Sequence, residues 1–225
     1  RRRQKVDTTS SGRSPSQVFP RRNPNRIYAR NTARHPIDGD AVGWRSSRQL
    51  TFHSAGYTLA DWFPDGQSLL AQGKRDHFWR HNERYFRVAV GARSAERLLF
   101  DDYGANATIA PDGKRMLFTR EGVSWTRKGY RGSQASQIWM VQLETREFKK
   151  IVEDPSGCQG PLWKPDGSGF YYTSGRNGAV NLWDFDLGTG QTKQLTTMED
   201  DSVVLPAISR NGNQIIFRHL FDLYR

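Results

Sequence analysis

Cysteine occurs once in the 225 residues, at Cys158, which excludes an internal disulfide and fits a reducing compartment. Only 36% of the chain is hydrophobic. No apolar run approaches the roughly 18 residues of a membrane-spanning helix, so no membrane partner is expected. The first residues lack the charged, apolar and small-residue succession of a secretion signal. The expected location is therefore cytoplasmic, with the periplasm as the alternative. A Gly-x-Ser-x-Gly elbow is missing, and so is a phosphate-cradling Gly-Lys-Ser/Thr loop, so no activated serine is marked and no cofactor is expected. Cys158, in Asp154-Pro-Ser-Gly-Cys-Gln-Gly160, has no neighbouring histidine and reads as a buried or loop thiol.

Acidic residues are outnumbered, 23 Asp and Glu against 34 Lys and Arg, for a net charge of +11. The excess is uneven. Residues 1–48 hold twelve Lys or Arg and three Asp or Glu, which is +9, and leave the rest of the chain at +2. A basic arm binds polyanions weakly and in a salt-dependent way, but the near-neutral remainder argues against a nucleic-acid partner. Residues 1–47 are rich in Arg, Ser, Pro and Asn and poor in apolar periodicity, so they are expected to be a basic, disordered extension.

What is present is a repeated sentence. Thr108-Ile-Ala-Pro-Asp-Gly-Lys-Arg-Met-Leu-Phe-Thr119 places Pro at the first corner of a turn, Asp at the second and Gly at a positive-φ position, between two apolar runs. Trp62-Phe-Pro-Asp-Gly66, Leu162-Trp-Lys-Pro-Asp-Gly167 and Ala207-Ile-Ser-Arg-Asn-Gly212 repeat it at intervals of 47, 54 and 45 residues. That is the period of a four-stranded propeller blade. Within each interval a large aromatic residue precedes an aliphatic one by twelve positions: Phe86 and Leu98, Trp139 and Ile151, Trp183 and Leu195. The fold expected is an all-β propeller over residues 48–225. It has three full blades of four antiparallel strands (about 59–100, 105–152 and 161–196) and two partial ones, in an incomplete ring. Arg48-Gln-Leu-Thr51 matches Lys193-Gln-Leu-Thr196 and reads as the last strand of an upstream blade, whereas the blade beginning near Val203 has room for three strands. With no Met at position 1, these counts are read as a piece of a longer chain. A meander alone cannot bury both of its faces, so neighbouring blades must stack.

The long inter-strand loops carry the candidate contacts. Asp76-His77-Phe-Trp79-Arg80-His81 and Lys128-Gly-Tyr130-Arg131 combine aromatic and cationic side chains suited to peptide carboxylates and backbone carbonyls, or to a partner protein. Structural ion pairs are the competing reading. His77 and His81 have the spacing of two metal ligands on a helical turn, but a third ligand is not evident and no metal is expected. Trp62, Trp139, Trp163 and Trp183 stand at equivalent strand positions and are read as core.

The Pro-Asp-Gly hairpins resemble the WD-like repeats of TolB and tricorn protease propellers. Gln49-Leu-Thr-Phe-His-Ser-Ala-Gly56, Arg75-Asp-His-Phe-Trp-Arg-His81, Lys128-Gly-Tyr-Arg-Gly132 and Phe217-Arg-His-Leu-Phe-Asp-Leu-Tyr224 resemble the N-terminal propeller of bacterial tricorn protease homologues, over about residues 48–225. The resemblance implies a non-catalytic propeller of a serine peptidase, admitting or binding peptides for proteolysis carried out in C-terminal domains. It carries no catalytic residue onto this chain, so whether the chain is itself an enzyme stays open. The rivals are a stand-alone TolB-like scaffold for a protein partner and a remnant without function. A homo-oligomer, or completion of the ring by another chain, fits the missing strands.

Overall fold

The computed structural model describes residues 28–30, 47–75, 83–91, 94–122 and 129–225. Strands β1 (Tyr28–Arg30) and β2 (Ser47–Gln49) form a two-stranded antiparallel pair. Three four-stranded meanders follow. The first blade is β3 (Thr58–Trp62), β4 (Ser68–Gly73), β5 (Arg84–Ala89) and β6 (Arg97–Leu98). The second is β7 (Ala105–Ile109), β8 (Arg115–Arg120), β9 (Gln137–Gln142) and β10 (Phe148–Val152). The third is β11 (Cys158–Trp163), β12 (Gly169–Ser174), β13 (Asn181–Asp186) and β14 (Thr192–Gln194). A fourth, three-stranded blade comprises β15 (Val203–Ile208), β16 (Ile215–His219) and β17 (Asp222–Tyr224). All pairings are antiparallel between sequence neighbours, so the chain is a four-bladed all-β propeller, and its described residues contain no helix. The strand read as the end of an upstream blade is β2, and its partner β1 lies within the segment expected to be an extension.

The four turns share one geometry because their chemistry is local. In each, the Gly N–H donates to the carbonyl three residues earlier: Gly66 to Phe63 at 3.0 Å, Gly113 to Ala110 at 2.8 Å, Gly167 to Lys164 at 2.9 Å and Gly212 to Ser209 at 2.8 Å. The glycine φ angles are +65°, +70°, +71° and +73°. Asp65, Asp112, Asp166 and Asn211 each accept the N–H two residues on through a side-chain oxygen, at 2.8–3.1 Å. These turns also meet across the blades. An added Cβ would meet Pro64 at 3.7 Å from Gly113, Pro111 at 3.9 Å from Gly167 and Pro165 at 2.8 Å from Gly212.

Blade stacking makes the core by strand alternation. In β8, Met116 and Phe118 pack with Phe63, Leu70, Tyr85 and Phe100 of the first blade. Leu117, between them, faces Trp163, Phe170, Tyr172 and Trp183 of the third. Leu69 and Ala71 of β4 turn the other way, onto Leu50 and Tyr57. Trp163 and Trp183 are buried, and Trp62 and Trp139 are half-buried against the same cores. The twelve-residue spacing has two structural meanings. Phe86 and Leu98 face each other directly. Trp139 pairs with Lys150, where a register shift before Val152 leaves Ile151 in the bulge, and Trp183 pairs with Gln194, one residue before Leu195.

Hydrogen bonds cross the same seams. Asp61 Oδ2 accepts from Thr108 Oγ1 and from the Ile109 N–H, both at 2.8 Å, and Trp163 Nε1 donates to the Thr108 carbonyl at 3.2 Å. Each innermost strand also carries a bulge, between Leu59 and Asp61, Ala105 and Thr108, Gln159 and Leu162, and Val204 and Ala207. In the last three blades it holds a residue at positive φ: Asn106 (49°), Gly160 (63°) and Leu205 (51°).

Candidate functional site

The meander sorts connections by end. The Pro-Asp-Gly turns and the tight β9–β10 and β13–β14 turns occupy one end of the blades, and the β8–β9, β10–β11, β12–β13 and β14–β15 connections occupy the other. These four enclose a cavity of about 410 Å³ between the second, third and fourth blades. That volume falls within the roughly 300–1,000 Å³ of small-ligand clefts.

Each wall is fixed by local bonding. In the β8–β9 connection, Gly132 (φ +156°) lies against Tyr130, whose hydroxyl accepts the Gln134 N–H at 3.1 Å. Asp154 closes the β10–β11 connection by accepting from Ser156 N at 2.9 Å and Ser156 Oγ at 2.6 Å. Those bonds, with the positive charges of Arg176 and Arg131, outweigh a partial-burial effect of opposite sign and hold the Asp154 carboxyl below its ordinary value. Gly157 follows at φ +85°, where a Cβ would meet Ser136 Oγ at 2.7 Å, and the Cys158 N–H donates to the Ser136 carbonyl at 2.7 Å, joining the blades.

Asn181, 1% exposed, holds the fourth wall. Its amide donates to the carbonyls of Ala179 and Met198 at 3.1 and 3.0 Å, and its Oδ1 accepts from Thr196 Oγ1 and the Met198 N–H at 2.8 Å. The next residues, Glu199, Asp200, Asp201 and Ser202, line the cavity opposite Tyr130 and Arg131. Ser202 is 2% exposed and its Oγ has no hydrogen-bond partner. Behind the wall, buried His219 places Nε2 3.0 Å from Asp200 Oδ1, close but outside hydrogen-bond alignment.

Two of the sequence-expected contact residues, Tyr130 and Arg131, thus line the cavity. His77, Trp79, Arg80, His81 and Lys128 lie outside the described residues, as does Asp76. Arg75, where the described chain breaks off before them, offers its carbonyl to Arg84 Nη2 at 2.7 Å, and Arg84 Nη1 bonds Asp101 at 2.7 Å. The acidic loop, Ser202, Asn181 and His219 were not marked by any motif. The one signal for them was the run Glu199-Asp-Asp-Ser202 between two strands, in a chain short of acid.

Among the described residues no serine hydroxyl is hydrogen-bonded to a histidine, and no three His, Cys, Asp or Glu side chains converge as a metal site. The Cys158 thiol is pushed up by burial, against the pull of Ser174 and Arg176. Arg176 is held within the third blade, donating to the Tyr172 hydroxyl at 2.8 Å and lying 4.5 Å over the Trp183 ring. The arrangement offers binding groups of both charges around a cleft.

A dipeptidyl-peptidase 5 of Porphyromonas gingivalis is 25% identical over 179 residues, which are 73% of this chain and 25% of that protein. TolB from Acinetobacter baumannii superposes with a TM-score of 0.67 at 20% identity, over 92% of this chain and 47% of that one. A puromycin-hydrolyzing peptidase of Mycobacterium tuberculosis gives 0.59 at 14% identity, over 89% and 33%. The two structural likenesses, at such identities, show the fold. The chain spans half or less of the length of each of these proteins. The tricorn protease N-terminal beta propeller domain matches residues 42–225, and the chain belongs to that family.

Proposed function

We propose that this propeller binds peptides in the cavity between its second, third and fourth blades, as the non-catalytic unit of a tricorn-like serine peptidase. The observation that carries the reading is the cavity itself, walled by Tyr130 and Arg131 on one side and by an acidic loop on the other. An extended peptide presents carbonyls and amides along its length, and Arg131 can donate to carbonyls or a carboxylate in the geometry that guanidinium favours. Family membership and the peptidase names among the relatives support the class of ligand. Proteolysis is assigned to residues outside this chain.

The test is fluorescence polarisation of short labelled peptides with the purified chain, beside a peptidase assay on the same sample. Saturable binding without turnover is expected, with affinity reduced about tenfold or more when Tyr130 and Arg131 are both replaced by Ala. Turnover by the chain alone, or binding indifferent to that replacement, overturns the proposal.

A further inference from the structure

The cavity has a charge that the chain as a whole does not. Three carboxylates, Glu199, Asp200 and Asp201, and a single guanidinium, Arg131, are its charged lining residues, so the lining is net negative in a chain of net charge +11. A cluster of acids on a loop is commonly a solvated surface. Here a second observation separates it from that reading: Ser202, in the same wall, has lost its water and found no protein partner. A buried unpaired hydroxyl destabilises the folded state by about 1–3 kcal/mol, so such groups are rare unless something bonds them.

The loop is also held in place rather than draped over the surface. Asn181 pins Met198 through two hydrogen bonds at 3.0 and 2.8 Å, and Val203 N donates to Val180 O at 2.8 Å, so the 199–202 segment is clamped at both ends. Within it, Asp200 Oδ1 accepts the Asp201 N–H at 3.0 Å and Asp201 Oδ1 accepts the Ser202 N–H at 2.7 Å. Each of these carboxylates keeps acceptor capacity beyond those bonds, since an ionised carboxylate has about four lone-pair sites.

We infer that this wall binds the primary ammonium of a peptide, with Asp200 and Asp201 supplying charge and Ser202 Oγ an oriented acceptor. The inference deepens the peptide-binding reading and rests on it. An inorganic divalent ion does not fit, because the described His, Cys, Asp and Glu side chains do not converge as metal ligands require. An ammonium carries three donors that diverge tetrahedrally, which suits separated acceptors such as two carboxylates and a hydroxyl. The ammonium has two sources in a peptide, the free N-terminus and a lysine side chain.

Three C-terminally labelled peptides of one apolar sequence distinguish these sources: one with a free N-terminus and no lysine, its N-acetylated form, and an N-acetylated form with one lysine. The chain's positive charge repels the cationic peptides, so non-specific electrostatics favours the acetylated, lysine-free one. At least tenfold tighter binding of either amine-bearing peptide supports the inference and names the source. The double variant Asp200→Asn with Asp201→Asn is expected to erase that preference. Ser202→Ala is expected to weaken binding of the amine-bearing peptide while leaving Tm unchanged or raising it, whereas a hydroxyl that supports the fold would lower Tm. Equal affinity for all three peptides overturns the ammonium inference and leaves the peptide-binding reading standing. Binding of none overturns both.

Discussion

Replacing the turn glycines one at a time with alanine measures how blades are fastened at the end opposite the cavity. Gly66 and Gly212 have nearly the same φ, +65° and +73°, and the same turn hydrogen bond. They differ in what an added methyl would touch. At Gly66 nothing lies within 4 Å, and at Gly212 the Pro165 ring would stand at 2.8 and 2.9 Å. The left-handed conformation costs an L-residue about 1–2 kcal/mol, partly offset by the roughly 0.4–1 kcal/mol gained when alanine restricts the unfolded chain. Gly66→Ala is therefore expected to destabilise by about 1 kcal/mol. Gly212→Ala adds overpacking against a ring that cannot rotate away, about 1–3 kcal/mol more. Urea denaturation followed by tryptophan fluorescence gives both values, and a cycle with Pro165→Ala isolates the contact. In the Pro165→Ala background, Gly212→Ala should fall to the cost of Gly66→Ala. Equal costs for the two single variants, or a Gly212→Ala penalty untouched by Pro165→Ala, would refute the idea that the turns brace one another.

Burial raises the Asp61 carboxyl above its ordinary value near 3.8, although hydrogen bonds from Ile109, Thr108 and Trp62 oppose the shift. A raised carboxyl means the folded state holds the proton more tightly than the unfolded one, so this contribution to stability is fully present below the unfolded value and lost as pH rises through the folded one. Asp61→Asn is expected to be destabilising, because its amide N–H2 group meets donors from the second blade, with the gap from the parent chain wider at pH 3.5 than at pH 7; a gap constant across that range in Tm measurements counts against the reading. Cys158, with no exposed surface and its thiol pushed up, should react with iodoacetamide at least tenfold more slowly in the native chain than in urea, and rapid native labelling would show that the seam between the second and third blades opens.

The parts of this molecule legible in its sequence are those whose causes lie within a few residues of one another. Pro-Asp-Gly sets its own φ angles and hydrogen bonds, so Gly66, Gly113, Gly167 and Gly212 could be placed without knowing any neighbour, and the blade limits followed from their spacing. The bulges could not be placed. Asn106 and Leu205 take positive φ inside apolar runs that read as regular strands, and Leu205 has no local chemistry that favours it. The pair β1–β2 was also hidden, because Tyr28-Ala-Arg30 is too short to show alternation and its partner is seventeen or more residues away. Of the cavity, Tyr130 and Arg131 were visible as an aromatic and basic pair in a long loop. The acidic wall was not, because its position depends on Asn181, which reaches Met198 across seventeen residues of sequence. The burial of Ser202 depends on tertiary packing that no short window contains.

The separation of connections by end has a bearing on how such a chain can change. The interval between the second and third turns exceeds the next one by nine residues, 54 against 45. The β8–β9 connection spans residues 121–136, and its counterpart β12–β13 spans 175–180. Length variation is thus taken up beside the cavity, while the braced end keeps a fixed turn. Insertions and substitutions near the binding groups can alter ligand preference without passing through an unfolded ancestor, whereas the same changes at the glycine turns would be removed by selection for folding. A lineage built this way can diversify in what it recognises while its architecture stays constant.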